Sequence, residues 1–310
     1  MKNKEQKIRI GGQALIEGVM MRKKNTIAMA VRLPDGNIDK EKFNINFLEK
    51  IKWYSKIPIF RGVVEMIVSF IIGYKCLLKS AQKAGIEEEE EKKEKNNKKD
   101  NVIISVFSFL GAILGVFATI VLFMYLPSFF VKQLSNIIPF NNFFKVSLEG
   151  LIKIFIFVFY LFIISNLKDI KRTFQYHGAE HKTIACFEKG EKLTVENVKK
   201  CTRFHPRCGT NFIFIVLFIS IFIFSFLTWN SLLVRLILKF STLPLVTGLS
   251  YEVIRLAGKE NNIIGKIMVA PGLCLQRLTT KEPDEKQIEV AIASVEEVLK
   301  EKSENKIDDI

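Results

Sequence analysis

Three histidines, one glutamate and one cysteine between positions 177 and 208 have the residue types of a metal centre. His177, Glu180 and His181 lie close together, and His205 and Cys208 follow after a polar stretch. In a helix, the first two histidines would lie one turn apart on one face, where both can bind one divalent ion. His205 and Cys208 would supply further ligands. We therefore predict a metal site, and the combination of His and Cys donors favours zinc.

Glu180 is the candidate catalytic residue. The string His-x-x-Glu-His at 177–181 matches the inverted zinc-protease pattern, in which the glutamate is the general base. Three interpretations stay open: an open catalytic site with water in the last position, a structural zinc site with every position filled, and a hydrogen-bonded polar cluster without metal. The catalytic interpretation is favoured because a structural site does not need an unbound carboxylate beside its ligands.

The segment 168–211 reads as a polar loop with some local structure. A short strand is predicted at 183–187, and Thr194 has the residue type of an N-cap for a helix over 195–203. Pro206 and Gly209 favour a tight turn that would present His205 and Cys208 to the first pair. Gly178 lowers helix propensity, so the helical spacing of 177–181 is an assumption.

The composition predicts an integral membrane protein. The 310 residues are 49% hydrophobic with a mean hydropathy of +0.20, and several apolar runs reach the length that crosses a bilayer. About four transmembrane helices are expected, the first ending at Pro127 and the last weakened by Pro244 and Gly248. The predicted spans are 102–126, 144–167, 212–234 and 236–251. The second contains Glu149 and Lys153, four residues apart and able to pair.

Charge predicts the partner and the orientation. The chain has 46 Lys and Arg against 32 Asp and Glu, and the basic residues flank apolar runs. A bilayer with anionic lipids is therefore the expected partner rather than nucleic acid. The 168–211 segment is rich in Lys and Arg, whereas 127–143 contains only Lys132. The positive-inside rule then places both termini and the histidine segment in the cytoplasm, and no cleavable signal peptide is expected.

Four regions outside the predicted spans complete the organisation. Residues 1–56 predict a cytoplasmic α+β element with a β-hairpin around the Pro-Asp-Gly-Asn turn at 34–37. An amphipathic interfacial or re-entrant helix at 57–84 and a disordered charged linker at 85–101 follow. The tail 252–310 has an apolar stripe that predicts an amphipathic helix packed on the cytoplasmic domain. The fold class is thus an α-helical integral membrane protein with a small cytoplasmic α+β portion.

Isolated acids and the cysteines add little chemistry. Glu17, Glu65 and Glu252 each stand in an apolar context, where a structural role is favoured, although each could join the site. The odd number of cysteines, five, and their irregular spacing fit reduced thiols in a cytosolic compartment rather than a disulfide framework.

Five strings together resemble the YqhQ-like family, a group of bacterial multi-pass membrane proteins described only as predicted metal-dependent enzymes. The resemblance covers nearly the whole chain except the charged linker and the tail, and it implies a bacterial cell-membrane location. The strings are Gly-Gly-Gln-Ala-Leu-Ile-Glu-Gly-Val-Met-Met-Arg at 11–22, Tyr-His-Gly-Ala-Glu-His-Lys at 176–182, His-Pro-Arg-Cys-Gly-Thr-Asn at 205–211, Tyr-Glu-Val-Ile-Arg at 251–255 and Ala-Pro-Gly-Leu-Cys-Leu-Gln-Arg at 270–277.

The expected function is a membrane-embedded, metal-dependent enzyme, a hydrolase acting at the cytoplasmic face. His177, His181, His205 and Cys208 would hold the ion, and Glu180 would be the general base for attack of water on a peptide, ester or phosphoester bond. The alternative is a non-enzymatic scaffold or assembly factor whose metal only folds the segment. A transporter is a more distant third.

Overall fold

The structure is a computed structural model that describes residues 10–45, 53, 56–85, 110–111, 113–227, 231–257, 263–300 and 308–309. It is mostly helical, with a small N-terminal antiparallel sheet. The predicted linker 85–101 lies outside the described residues except for Gly85.

The sheet is a meander of four antiparallel strands. They are β1 (Gly11–Leu15), β2 (Gly18–Lys23), β3 (Thr26–Arg32) and β4 (Ile38–Asn44), and a short β5 (Asp308–Asp309) pairs parallel with β4. The predicted hairpin is confirmed as β3–β4, in register from Thr26↔Asn44 to Arg32↔Ile38. Gly36, with φ 91°, takes the left-handed conformation of that turn. The glycine-rich string upstream forms β1 and β2, so β1 is an outer strand.

Three helices sandwich the sheet. On one face lie α4 (Lys168–Glu188) and α9 (Glu285–Leu299), and on the other lies α1 (Phe60–Lys83). The tail helix α9 begins with a capping box between Asp284 and Gln287. Its apolar stripe is buried, with Ile288 and Val295 fully inaccessible, which confirms the amphipathic helix and its packing on the sheet.

Apolar helices make up most of the remaining chain. They are α2 (Ile113–Ile137), α3 (Asn142–Ile164), α6 (Gly209–Phe224), α7 (Leu232–Ala257) and α8 (Ile263–Thr279). Three of them, α2, α3 and α7, are long and apolar enough to cross a membrane, which suggests a membrane protein. Among the described residues this gives three candidate spans rather than the four predicted.

The bounds of these helices correct several predictions. Among the described residues the first candidate span is Ile113–Ile137, and residues 102–109 and 112 of the predicted span 102–126 lie outside that part of the chain. The third is a 16-residue helix, Gly209–Phe224, rather than 212–234, and the weak fourth is the 26-residue helix α7. Pro127 does not end the first span. A π-helical turn at Val121–Tyr125 precedes it, and Leu126–Ile137 continues as regular helix with the proline in its first turn. There the missing N–H disrupts little.

The segment 168–211 contains more helix than predicted. Its first half is the continuous helix α4, and the predicted strand at 183–187 is wrong because those residues form the last turns of α4. The Thr183 hydroxyl donates to the Ala179 carbonyl oxygen at 2.7 Å, so this β-branched side chain is satisfied within the helix. Thr194 does cap a helix, α5 (Val195–Lys200), which is shorter than predicted.

A buried ionic cluster links α2, α3 and α7. Glu149 is 3.2 Å from Lys153 and 2.8 Å from Arg235, and it also pairs with Lys239. Ser128 on α2 donates to Glu149 at 2.9 Å and accepts from Lys239 at 2.7 Å. The predicted pairing of Glu149 with Lys153 is confirmed, but within a larger cluster in which one carboxylate meets three cations.

Candidate metal centre

Helix α4 presents three of the predicted residues to one region. The rings of His177 and His181 are one turn apart with centroids 4.4 Å from each other, and Glu180 lies between them in the sequence. Gly178, which weakened the helical prediction, sits where the chain leaving α8 crosses α4, and Lys281 donates its backbone N–H to the Phe174 carbonyl there. Tertiary packing therefore overrides the low helix propensity of this glycine.

Cys208 reaches the same region from another element. It is the N-cap of α6, and its Sγ accepts from the backbone N–H of Thr210 at 3.4 Å. Sγ lies 3.2 Å from Nε2 of His177. One ligand atom from each of His177, His181 and Cys208 lies within 4.8 Å of the other two. The predicted closure of the segment thus brings together two imidazoles and one thiol.

Backbone carbonyls orient both imidazoles. Nδ1 of His177 is 2.8 Å from the carbonyl oxygen of Thr279, the last residue of α8, and Nδ1 of His181 is 2.6 Å from that of Arg203. A carbonyl only accepts, so each Nδ1 carries the proton. In a neutral ring the unprotonated nitrogen is then Nε2, which is the arrangement that metal-binding histidines adopt.

Burial sets the charge states of the group. Desolvation, aided by His177, holds the pKa of His181 well below its usual value, so the ring is neutral at pH 7. Burial raises the pKa of the Cys208 thiol. A divalent cation would reverse the effect on the thiol, because metal binding requires neutral imidazole and thiolate.

Glu180 is buried without a full set of partners. Its side chain is 4% exposed, and Oε2 has no hydrogen-bond partner in the described part of the chain. Desolvation raises the pKa of this carboxyl to about 8, His177 opposes the rise, and Cys208 adds to it. An orphaned carboxylate oxygen beside two histidines and a thiol is an observation that favours a cation or a water molecule at this place.

His205 lies next to this group but does not belong to it. Its ring centroid is 5.7 Å from that of His181, and its Nε2 is 3.4 Å from Glu188. Its backbone N–H donates to Oε1 of Gln276 at 2.8 Å, and burial lowers its pKa to about 4. His205 as a fourth ligand therefore stays a prediction that would require its ring to turn from Glu188.

A cavity of about 640 Å³ opens at the centre, within the size range of small-molecule sites. Its walls come from β1, α4 and the turn before α6. The lining includes Gly11, Gly12, Gln13, Ala14, His177, Glu180, His181, His205, Arg207 and Cys208. All the predicted site residues therefore face one space.

The three isolated acids lie elsewhere and have other partners. Glu17 pairs with Arg172 and accepts from the Tyr176 hydroxyl at 3.1 Å. Glu65 is 3.3 Å from Arg22. Glu252 pairs with Arg61, which ties α7 to α1. These contacts support the structural role that was favoured for each.

Some residues at the centre were not singled out as functional from the sequence. Gly12 packs so closely on Glu180 that a β-carbon there would lie 2.8 Å from Oε1. Gln276 bonds both the N–H and the C=O of His205. Both belong to strings quoted above, at 11–22 and 270–277, and that was the signal that could have found them.

A second group of possible ligands lies further along α4. One ligand atom from each of Cys186, Glu191 and Cys201 lies within 4.8 Å of the others. Burial raises the pKa of Cys186 to about 11, and Lys189 Nζ lies 3.7 Å from Cys201 Sγ. An ammonium group at that position competes with a metal ion for the sulfur, so we assign no ion to this group.

Comparison with known proteins identifies the family. Residues 57–301 match a family described as "Protein of unknown function (DUF1385)". The chain belongs to this family. It is also 36% identical over 294 residues to a protein of Bacillus subtilis (strain 168) named "Uncharacterized protein YqhQ", covering 94% of this chain and 92% of that protein. No solved structure matches the chain. The resemblance to the YqhQ-like family is thus confirmed.

Proposed function

We propose that this DUF1385 family member is a metal-dependent hydrolase of the membrane, with its site at the cytoplasmic face. The observation that supports it best is the pair of carbonyl contacts that leave Nε2 unprotonated in the neutral rings of His177 and His181, whose ligand atoms lie within 4.8 Å of that of Cys208. A buried carboxyl oxygen without a partner among the described residues lies on the same helix. A hydrogen-bonded polar cluster would account for the contact between His177 and Cys208 but not for that oxygen.

The donor set fits zinc. Two imidazole nitrogens and one thiolate are ligands that zinc takes in catalytic sites, where a fourth position stays open. When bound, the ion would polarise the scissile carbonyl or acidify a water molecule. His177 and His181 would hold it through Nε2 and Cys208 through Sγ, and the carbonyls of Thr279 and Arg203 would keep both rings in place.

Glu180 would transfer the proton of the attacking water molecule. Its carboxylate would accept a proton from the attacking water and deliver it to the leaving group, so that water adds across the broken bond. Its burial against Gly12 of β1 fixes the carboxylate beside the ligands. A group that shuttles a proton must titrate near the working pH, and burial moves the pKa of Glu180 in that direction.

The helices α3 and α4 support the proposed placement in the membrane. The candidate span α3 ends at Ile164 and α4 begins at Lys168, so the site helix leaves directly from the end of a span. Exposed Lys168 and Lys171 at this boundary suit anionic headgroups of a bacterial cell membrane. By the positive-inside rule this side is cytoplasmic, together with both termini.

Metal content of the purified full-length chain tests the site. We expect about one zinc per chain in the wild type by mass spectrometry. The metal should be lost in His181→Ala and in Cys208→Ser, and it should be kept in Cys274→Ser, a matched change at an exposed cysteine. A wild type without metal, or full metal in Cys208→Ser, would contradict the proposal.

The Glu180→Gln variant distinguishes the enzyme hypothesis from the scaffold hypothesis. This variant should keep the metal and lose turnover, because the amide cannot accept the proton. Loss of metal in Glu180→Gln would make Glu180 a ligand instead. A metal-loaded wild type that hydrolyses no peptide, ester or phosphoester would favour the non-enzymatic scaffold, in which the ion only stabilises the fold.

A further inference from the structure

In the part of the chain that the structure describes, the outer strand of the sheet, β1, has a free edge. There it pairs with β2 alone, from Gly11↔Arg22 to Leu15↔Gly18. The Arg32 N–H donates to the Glu17 carbonyl at 2.8 Å, and this bond between β2 and β3 lies beside Gly18. The N–H and C=O of Gly18 therefore do not face β3 but face β1, where they pair with those of Leu15. Hydrogen-bonded pairs alternate along an antiparallel ladder. The backbone groups of Gly12 and Ala14 therefore point away from the sheet.

The edge has partners at one end only. The N–H of Ile16, which points the same way, donates to Oγ of Ser80 on α1 at 3.2 Å. For Gly12 and Ala14, no hydrogen bond from these outward groups is found within the part of the chain that the structure describes. Unpaired strand edges of this kind accept a further strand. The hydroxyl of Ser80 therefore satisfies the edge at Ile16, whereas at Gly12 and Ala14 it stays open among the described residues.

The open part of the edge borders the candidate metal centre. Gly11, Gly12, Gln13 and Ala14 line the same cavity as Glu180 and the histidines. Gly11 and Gly12 are exposed, and a β-carbon at Gly11 would meet nothing within 4 Å. Two glycines without side chains let a second backbone come close. The edge thus offers room and hydrogen-bonding groups beside the candidate general base.

We propose that the site takes an extended polypeptide segment, which adds as a strand to the free edge of β1 and brings one peptide bond to Glu180. This inference rests on the proposed function and names its substrate class. Main-chain hydrogen bonds to an exposed edge are a recurring way to hold a peptide. The outward groups of Gly12 and Ala14, two residues apart, match the two-residue repeat of a strand.

The reaction is then peptide hydrolysis. The oxygen of water forms a bond to the peptide carbonyl carbon and the C–N bond breaks. One proton passes from the water to Glu180 and on to the leaving amine, the other stays on the new carboxyl group, and the products are a carboxylic acid and an amine. Water is the only co-reactant, so no oxidant or reductant is needed.

The charge of the cavity disfavours a phosphoester. Apart from the histidines, Arg207 is the only cationic residue that lines it among the described residues, and its guanidinium pairs with Glu188. Phosphate sites normally direct several cationic groups to the ligand, whereas here the other group that attracts an anion is the first turn of α6 at Gly209 and Thr210. An uncharged peptide backbone suits this lining better.

Peptide binding to the metal-loaded full-length Glu180→Gln protein tests the proposal. The probe is a pool of fluorescein-labelled decapeptides of mixed sequence, followed by fluorescence anisotropy. Ala14→Pro removes one outward N–H at an edge position, where proline is tolerated, and Ala14→Ser is its matched control. We expect binding to weaken about ten-fold or more with proline and to stay unchanged with serine.

A second measurement changes the ligand and leaves the protein intact. The same decapeptides with N-methyl groups on alternate residues cannot donate along the strand, so they should bind about ten-fold more weakly. This comparison decides the proposal even if Ala14→Pro does not fold. Equal binding of methylated and unmethylated peptides would overturn it.

The remaining outcomes separate the two proposals. Peptides that fail to bind a protein containing its zinc would overturn the strand-addition inference and leave the metal-dependent hydrolase standing. A wild type without zinc would overturn the proposed function itself. A dimer that excludes peptides and is broken by Ala14→Pro would show that a second copy of the chain pairs along β1, which would also overturn the inference.

Discussion

Gly178 on α4 lies against the backbone carbonyl oxygen of Lys281, in the chain that leaves α8, and a β-carbon at position 178 would overlap that oxygen. The contact sets the distance between α4 and the end of α8. His177 directly precedes Gly178 on α4, and its Nδ1 bonds the carbonyl oxygen of Thr279 at the end of α8. This glycine therefore controls how closely a predicted ligand approaches its orienting group.

Gly178→Ala should destabilise the protein and weaken metal binding. The overlapping atom belongs to the backbone, so α4 or the 279–281 segment must shift, at a cost of about 1–3 kcal/mol. Thermal unfolding and metal content measure the two effects. Gly111→Ala is the control, because a β-carbon there would meet nothing within 4 Å. An alanine at 178 with wild-type melting temperature and metal content would contradict the close contact.

Removal of the metal should lower the melting temperature. An ion that binds only the folded chain adds about 2.7 kcal/mol at a free concentration one hundred times its Kd. Treatment with a chelator should therefore destabilise the wild type and leave His181→Ala nearly unchanged. An equal shift in both proteins would mean that the chelator acts elsewhere, for instance on the Cys186 and Cys201 group.

Glu149→Gln should be strongly destabilising. It removes the carboxylate that meets Lys153, Arg235 and Lys239. Three cations would then surround a neutral amide, and loss of one partner from a buried ionic group costs about 3–5 kcal/mol. Unfolding in detergent measures the loss. The double variant Glu149→Gln/Lys239→Met should recover part of it, and no recovery would argue against charge as the cause.

Reporter fusions after Ala84 and after Lys189 should give the same side of the membrane. Ala84 follows α1, which packs on one face of the sheet, and Lys189 follows α4, which packs on the opposite face. Both positions therefore belong to one folded unit, which we propose to be cytoplasmic. Activity of a cytoplasmic reporter at one position and of a periplasmic reporter at the other would exclude this topology.

Local patterns were enough to predict the parts of the site that lie on one element. Helical spacing predicts that His177, Glu180 and His181 lie close together. The apolar stripe of the tail predicts the helix α9. The turn at 34–37 gave the β3–β4 hairpin. In each case the signal is a short-range periodicity or a turn residue, which the sequence displays directly.

Contacts between distant segments were beyond those patterns. The sequence did not indicate that the carbonyls of Thr279 and Arg203 would meet the histidines, because every residue has a carbonyl. The approach of Gly12 to Glu180 depends on how α4 packs over β1. The end of the first apolar helix was predicted wrongly because Pro127 was taken as a helix stop. In the structure a π-helical turn before the proline accommodates it within the helix.

Helix α6 joins the candidate metal centre to the buried ionic cluster. It begins after Cys208 and ends at Phe224, whose ring lies 5.0 Å from Nζ of Lys153. Its 16 residues span about 24 Å, less than the hydrocarbon core of an average bilayer, about 30 Å. A displacement of the ionic cluster along α6 would therefore move the thiol of Cys208 relative to His177. The packing of the apolar helices would then set how well the three predicted ligands meet.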